Sequence, residues 1–301
     1  MKSKIKRLKV LYWLYRKIDP CVRLLLFRIS PILGNKYIYR TIYGRRLNLK
    51  NPELLSEKLI WLKLYGEDPL WITCTDKYEV RAFVEKRGCG DTLNELIGLY
   101  DQVMDISWID LPNQFVLKGT HGCGCNIICP DKQALDESET REKLASWMLT
   151  DYAKFMGENH YSKIKPRIVA EKFLGDDTGD LPLDYKILCF NGSAKVMMFC
   201  NERSTKVKFT FLDLDWNILD VNSDRYPPEK FVEKPTCLGE MVDYAERLAN
   251  GFPFVRVDFY IVENRIIFGE MTFTPAGGIV AYFNDVGDRL LGNMLALDIK
   301  S

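Results

Sequence analysis

From Arg167 onward the chain is a succession of short segments dense in β-branched and aromatic residues: RIVAEKFL, LDYKILCF, SAKVMMFC, VKFTFLDL, FVRVDFYIV and RIIFGEMTF. This run constrains the fold more than any other feature, because a short strand cannot bury a face alone and must pair with its neighbours. The last two segments meet at Glu263-Asn264 and predict a hairpin. Upstream the patterning is helical. Over 51–65, Asn51 is placed to cap a helix, with Pro52 at its first position and Glu53 in its first turn. A second helix is expected over 75–88, ended by Gly88, a charged helical stretch over 132–155, and one more over 235–250. Helices in front of mostly antiparallel strands predict an α+β body of two lobes with a cleft between them.

At 301 residues the chain is long enough for two or three coupled units, and 47% hydrophobic with 28% charged residues excludes a disordered or fibrous protein. The expected division is a basic segment over 1–46, a helical or α+β region over 47–110, a glycine-loop lobe over 111–174 and a C-terminal lobe over 175–301. A net charge of +1 gives no bias toward nucleic acid, so no nucleic-acid partner is expected. The charge is unevenly placed. Residues 1–46 carry 13 Lys/Arg against one acid, Asp19, a net +12 that leaves the remainder at −11.

No apolar run approaches the ~20 residues needed to cross a bilayer, and none suits a signal peptide. A cytoplasmic protein with its nine cysteines reduced is the expectation. At helical spacing Lys2, Lys6, Lys9, Arg16 and Lys17 gather opposite Ile5, Leu8, Leu11, Tyr12 and Tyr15. Such a basic amphipathic helix suits peripheral contact of residues 1–35 with an anionic membrane on its inner face, or docking on the chain's own body.

Two constellations carry chemistry. In FVLKGTHGCGCNIIC two apolar runs flank a glycine-rich turn, a hairpin whose Gly119, Gly122 and Gly124 let backbone N–H groups turn toward an anion. Lys118 at the strand end is a point charge for a phosphate oxygen, and Thr120 and His121 are hydrogen-bond donors. The alternative is an ordinary structural hairpin. Cys123, Cys125 and Cys129 lack zinc-knuckle spacing and read as small core residues more readily than as a metal site. In the last hairpin Arg256 and Asp258, and likewise Glu270 and Thr272, are two residues apart, so each pair shares a face. Two carboxylates and a hydroxyl suit Mg²⁺, and Arg256 suits phosphate charge; the alternative is a solvated face of cross-strand charge pairs.

The ordered set TDKYEVR, FVLKGTHGCGCNIIC, KPRIVAEKFL, LDYKILCFNG, PFVRVDFY and FGEMTFTPAGG resembles the ATP-grasp superfamily, and within it the teichuronopeptide-biosynthesis type, over about residues 50–292. The resemblance implies two α+β lobes gripping ATP after a small N-terminal domain, and ligation of a carboxylate to an amine through an acyl phosphate, with ATP and Mg²⁺ required. Asp76, Lys77 and Arg81 then match a D-K-x3-K pattern, with Arg81 where a phosphate-binding lysine is common, and Lys118 precedes the flexible loop. Glu171, Lys172, Phe173 and Leu174 match the hinge whose backbone reads adenine, with Asp176, Asp177 or Asp180 for the ribose, and Lys186 faces the nucleotide. Arg256, Asp258 and Glu270 match the phosphate-binding arginine and the two metal carboxylates, so Arg256 and Lys118 would carry catalysis. Thr272 stands where the family has asparagine, a departure at the third metal ligand. Thr274, Gly277 and Gly278 of the TPAGG loop would lie at the acceptor. Positioning does most of this chemistry, so His121 is as well suited to contact phosphate as to act as an acid or base. The implied setting is synthesis of capsule, O-antigen or teichuronopeptide. A glycosyltransferase using Asp213-Leu214-Asp215, a non-catalytic nucleotide-binding partner, and a kinase-like transfer of phosphate to a hydroxyl are the alternatives.

Overall fold

The computed structural model describes residues 19–66, 68–176, 181–201 and 208–299. The basic helix expected over the first 17 residues lies outside them. Residues 19–29 (α1) and Pro31–Tyr43 (α2) are helical, followed by α3 (Leu55–Tyr65), α4 (Pro69–Thr75) and α5 (Val80–Lys86). Then come β1 (Leu96–Tyr100), the hairpin β2 (Phe115–Gly119) and β3 (Asn126–Cys129), α6 (Glu137–Met148), α7 (Ala153–Met156) and β4 (Ile168–Lys172). The remainder is β5 (Asp184–Phe190), β6 (Ser193–Asn201), β7 (Lys208–Leu212), α8 (Leu238–Ala249), β8 (Phe254–Val262), β9 (Arg265–Thr272) and α9 (Asp285–Met294).

The strands form two sheets, a smaller one in the order β1-β4-β2-β3 and a larger one in the order β7-β6-β5-β8-β9, with every named pair antiparallel. This is the expected α+β body. The smaller sheet buries Phe115, Leu117, Ile127, Ile168 and Ala170 with Leu144 of α6. In the larger sheet the two faces differ. Ile187 and Cys189 of β5 and Val257 and Phe259 of β8 join Met241, Ala245 and Leu248 of α8 in the main core. The alternate residues of the same strands, Lys186, Arg256 and Asp258, turn to the other face, with Lys186 opposite Asp258. Glu263 and Asn264 both have positive φ, 51° and 62°, as the tight turn between β8 and β9 requires.

Two helix boundaries differ from expectation. The helix predicted from Pro52 starts at Leu55, because Glu57 reaches back and its carboxylate accepts the N–H groups of Glu53 (3.0 Å) and Leu54 (3.3 Å). A side chain inside the first turn thus does the work expected of Asn51. The helix predicted over 75–88 is broken. Thr75 ends α4, and the Asp76 carboxylate accepts the N–H groups of Tyr78 (2.8 Å) and Glu79 (3.1 Å), so that 76–79 form a turn before α5.

At the far end α9 crosses the start of α3 at backbone contact. A Cβ on Gly292 would stand 2.3 Å from Glu53 O and 2.8 Å from Leu55 N, atoms that cannot move aside. Gly292→Ala is therefore expected to lower stability by about 1–3 kcal/mol, seen as a reduced urea midpoint with unchanged slope.

Candidate functional site

The break at Asp76 places Lys77. Besides capping its own turn, Asp76 accepts from Arg167 (2.9 Å), whose guanidinium also pairs with Glu79 (2.8 Å). Asp76 therefore shapes the turn, and Lys77 leaves it toward the glycine tip, donating its N–H to Thr120 O (3.3 Å) and its ammonium to Gly122 O (2.5 Å). The base of the tip is closed by Gly119 N–H to Cys125 O (2.9 Å) and pinned by Cys125 Sγ against Tyr152 Oη (2.5 Å). Among the described residues no acceptor meets the backbone N–H groups of Gly122, Cys123 and Gly124.

The side chains of Thr120 and His121 turn away from this edge. Thr120 Oγ1 donates to Lys165 O (3.1 Å), and His121 Nε2 is 3.0 Å from Trp147 O while Nδ1 is buried without a partner. Burial pushes the imidazole below its ordinary value. A neutral ring donating through Nε2 fits this position.

Lys118 faces the cleft with its ammonium 2.6 Å from Glu171. The register explains the pair: Lys118 lies opposite Val169 and Val116 opposite Glu171, so the two are diagonal neighbours on one face. At the end of β4 Lys172 already donates its N–H to Glu95 O (3.0 Å) and accepts from Asn94 Nδ2 (2.8 Å), which leaves Phe173, buried, and Leu174 to continue the segment. Arg81 donates to Asn94 O (2.8 Å) beneath it. Of the three ribose candidates, Asp176 is described, while Asp177 and Asp180 lie outside the described residues.

On the larger sheet the polar face is built as the period of two requires. Arg256 Nε donates to Asp258 Oδ1 (2.6 Å), and its Nη2 to Asp258 Oδ2 (2.7 Å), Glu270 Oε1 (2.8 Å) and Thr272 Oγ1 (3.0 Å). Thr272 Oγ1 donates in turn to Glu270 Oε1 (2.9 Å), and Lys186 pairs with both Asp258 and Asp184. Asp258 is 1% exposed, whereas the Glu270 side chain is 46% exposed at the cleft edge. Between them the ladder slips by one residue at Gly269, where a Cβ would meet Asp258 O at 3.0 Å; the bulge re-aims Glu270 toward the cleft. The atoms packed around Glu270 push its carboxyl up, but Arg256, then Lys186 and Lys77, outweigh this and hold it at about 2.

Lys77, Arg81, Lys118 and Glu171 from one side and Tyr260, Phe268 and Glu270 from the other line a single cavity of about 570 Å³ counted to its open mouth. Residues far apart in sequence and on different sheets thus share one space. Among the described residues no group of three or more His, Cys, Asp or Glu side chains forms a ready metal cluster, and all nine cysteines are free thiols. The TPAGG loop is wedged rather than open. Thr274 is buried, and Cβ atoms on Gly277 and Gly278, both at positive φ, would strike Met156 and Ile60. Asp213 is a turn residue after β7, its carboxylate accepting Asn217 N–H (2.8 Å) and Nδ2 (2.9 Å) away from this cavity, so the D-x-D tripeptide has a structural explanation.

A neighbouring group was not legible in the sequence. Glu158 accepts from Thr274 Oγ1 (2.5 Å), and the buried ammonium of Lys63 donates to Met156 O (2.8 Å) and Gly277 O (2.5 Å). Burial lowers Lys63 to about 8 and raises Glu158. These residues lie on unrelated stretches of chain, and only Thr274, two residues beyond Thr272, carries a sequence signal.

No curated protein matches the chain. Among solved structures it is similar to a D-alanine–D-alanine ligase from Bacillus anthracis complexed with ATP (13% identity, 73% of this chain and 60% of that one, TM-score 0.43). It is also similar to the D-alanine–D-alanine ligase from Helicobacter pylori (13%, 80% and 69%, 0.43) and to an L-amino acid ligase from Bacillus licheniformis (13%, 84% and 55%, 0.41). The chain thus spans about 60% of the length of the Bacillus anthracis ligase. A family profile described as TupA-like ATPgrasp matches residues 57–296, most of the chain and both sheets, and the protein therefore belongs to the TupA-like ATP-grasp family.

Proposed function

We propose that this protein is an ATP-dependent ligase that joins a carboxylate to an amine through an acyl phosphate, in the synthesis of a bacterial surface polysaccharide. One observation carries the reading: Lys118 of the smaller sheet and Glu270 of the larger sheet line the same cleft. The triphosphate would lie under the glycine tip, its oxygens taken by the N–H groups of Gly122, Cys123 and Gly124, by Lys118 and by Arg256. Lys77 holds the tip through Gly122 O, and Arg81 supports the hinge through Asn94 O. Phe173 and Leu174 would offer backbone groups to the adenine edge, and Asp176 would hold the ribose. Lys186 pairs with Asp258 on the floor of the site.

The donor chemistry fits Mg²⁺. Asp258 and Glu270 are directly opposed across β8 and β9, with the Thr272 hydroxyl beside them, an all-oxygen set that Arg256 and Lys186 now hold and would yield to the ion. Two carboxylates and a hydroxyl leave the rest of a shell to phosphate and water, and the ion would there neutralise charge on the phosphates. Arg256 and Lys118 offset the charge that develops as the substrate carboxylate attacks the γ-phosphorus, and the glycine tip shields the acyl phosphate from water. The pathway is supported by the family alone. The test is release of ADP and phosphate that depends on Mg²⁺ and on a carboxylate plus an amine, with uronates and amino acids as the first panel. Phosphate appearing on a hydroxyl, or sugar-nucleotide binding in place of ATP, would contradict it.

We further propose that the basic N-terminal segment meets an anionic membrane. Among the described residues no helix is long and apolar enough to cross one. The supporting observation is a row of exposed apolar side chains on α1 and α2, Leu25, Ile29 and Leu33, beside exposed Arg28, Lys36 and Arg40. The full-length protein is expected to float with vesicles containing phosphatidylserine and to release in high salt, whereas a Leu25→Ser, Ile29→Ser, Leu33→Ser variant stays in the soluble fraction.

A further inference from the structure

The carboxylate of Glu158 stands beside the phosphate-handling cluster without being part of it. Thr274, whose hydroxyl it accepts at 2.5 Å, follows Thr272 by two residues, and Thr272 bonds both Arg256 and Glu270. Among the described residues no hydrogen-bond donor reaches the second oxygen of Glu158. The ammonium of Lys63, whose field reaches Glu158, is directed to Met156 O and Gly277 O. Tyr161 and the exposed Cys123 of the glycine tip complete the surroundings, each feeling the fields of both Glu158 and Glu270, while His160 faces Lys63. The result is a partly buried carboxylate with a single hydroxyl donor, joined through Thr274 to the strand end that carries Thr272.

We propose that Glu158 binds the ammonium of the amine substrate and takes its proton, turning it into the nucleophile. This rests on the ligase reading. An ammonium arriving at Glu158 supplies positive charge, which makes the site selective for a primary amine over a neutral hydroxyl. The Glu158 carboxylate accepts one proton from R–NH₃⁺. The freed nitrogen lone pair attacks the acyl carbon, the C–N bond forms, and the bond from that carbon to the phosphate oxygen breaks. The second nitrogen proton leaves with the phosphate as HPO₄²⁻, and Glu158 returns its proton to solvent. Thr274 is a positioning residue that fixes the carboxylate through Oε1.

Hydroxylamine separates this step from the one before it, because at pH 7.5 it is neutral and attacks an acyl phosphate without first giving up a proton, the one it sheds afterwards leaving with phosphate. The full-length enzyme with ATP, Mg²⁺ and the panel of uronates and amino acids is assayed for hydroxamate and, with each amino acid as the amine, for amide. Glu158→Gln is expected to keep hydroxamate formation within about threefold and to lose amide formation about 10²-fold, with Glu158→Asp intermediate and the defect shrinking as pH rises toward the amine's own pKa. Equal loss of both products in a variant that still shows an ATP–Mg²⁺ thermal shift overturns the base role, as does retention of both. Should Glu158→Gln fail to fold, the same split is read from Glu158→Asp. Absence of hydroxamate with wild-type enzyme and every carboxylate overturns the ligase reading, and this inference with it.

Discussion

Replacing Glu270 with alanine is expected to lower Mg²⁺-dependent ADP formation about 10³-fold, the scale set by removing a preorganised electrostatic group from a site of this kind. Glu270 is the acid of the cluster that opens to the cleft, whereas Asp258 lies beneath it with both oxygens held by Arg256 and Lys186. The loss should therefore fall on turnover more than on folding. Its ionisation gives an independent check. Glu270 is held at about 2 in the folded protein, below the ~4.3 of an unfolded glutamate, so its stabilising contribution is present above that higher value and disappears as pH falls toward 2. Glu270→Gln should show a shallower loss of stability than wild type between about pH 4.5 and 2.5, measured by urea unfolding. Parallel curves would show that the carboxylate is not held by Arg256 and its neighbours.

Arg256→Met is expected to be the most destabilising single change at the site. It removes two charge-assisted bonds from a carboxylate that is almost fully buried and leaves Asp258 facing Glu270 across the ladder with Lys186 as its remaining strong partner. Breaking a buried pair from one side costs about 3–5 kcal/mol, and the surviving Lys186 places the expectation near the lower end. Adding Asp258→Asn should restore part of that stability, because the orphaned charge is then gone, without restoring ADP formation. A double variant as unstable as the sum of the two single ones would mean that the arginine acts by packing alone.

Much of the site is legible in the sequence, because the strands carry strong local signals. The period of two in RVDF and GEMT placed four polar side chains on one face, and the structure brings them within hydrogen-bond distance of one another. Glycine spacing located the tip, but not which of its side chains turn inward: Thr120 and His121 are donors by type, and only the carbonyls of Lys165 and Trp147, supplied from later segments, decide where they point. α3 starts later than its sequence predicts because Glu57 caps from inside the helix, and α5 is shorter than predicted because a tertiary partner, Arg167, stabilises the turn at Asp76. Glu158 and Lys63 had no sequence signal, since their meaning comes from a loop over a hundred residues away folding back between them.

The central claim is that one triphosphate is held from both sheets at once. Calorimetric titration of ATP–Mg²⁺ into wild type, Lys118→Ala and Glu270→Gln tests it directly, since these residues belong to different sheets and do not bond each other. Binding to wild type, with affinity weakened at least about tenfold by either substitution, is the expected result. Affinity unchanged by one of the two would show that the nucleotide is held from a single wall, and the shared cleft would then not be the site.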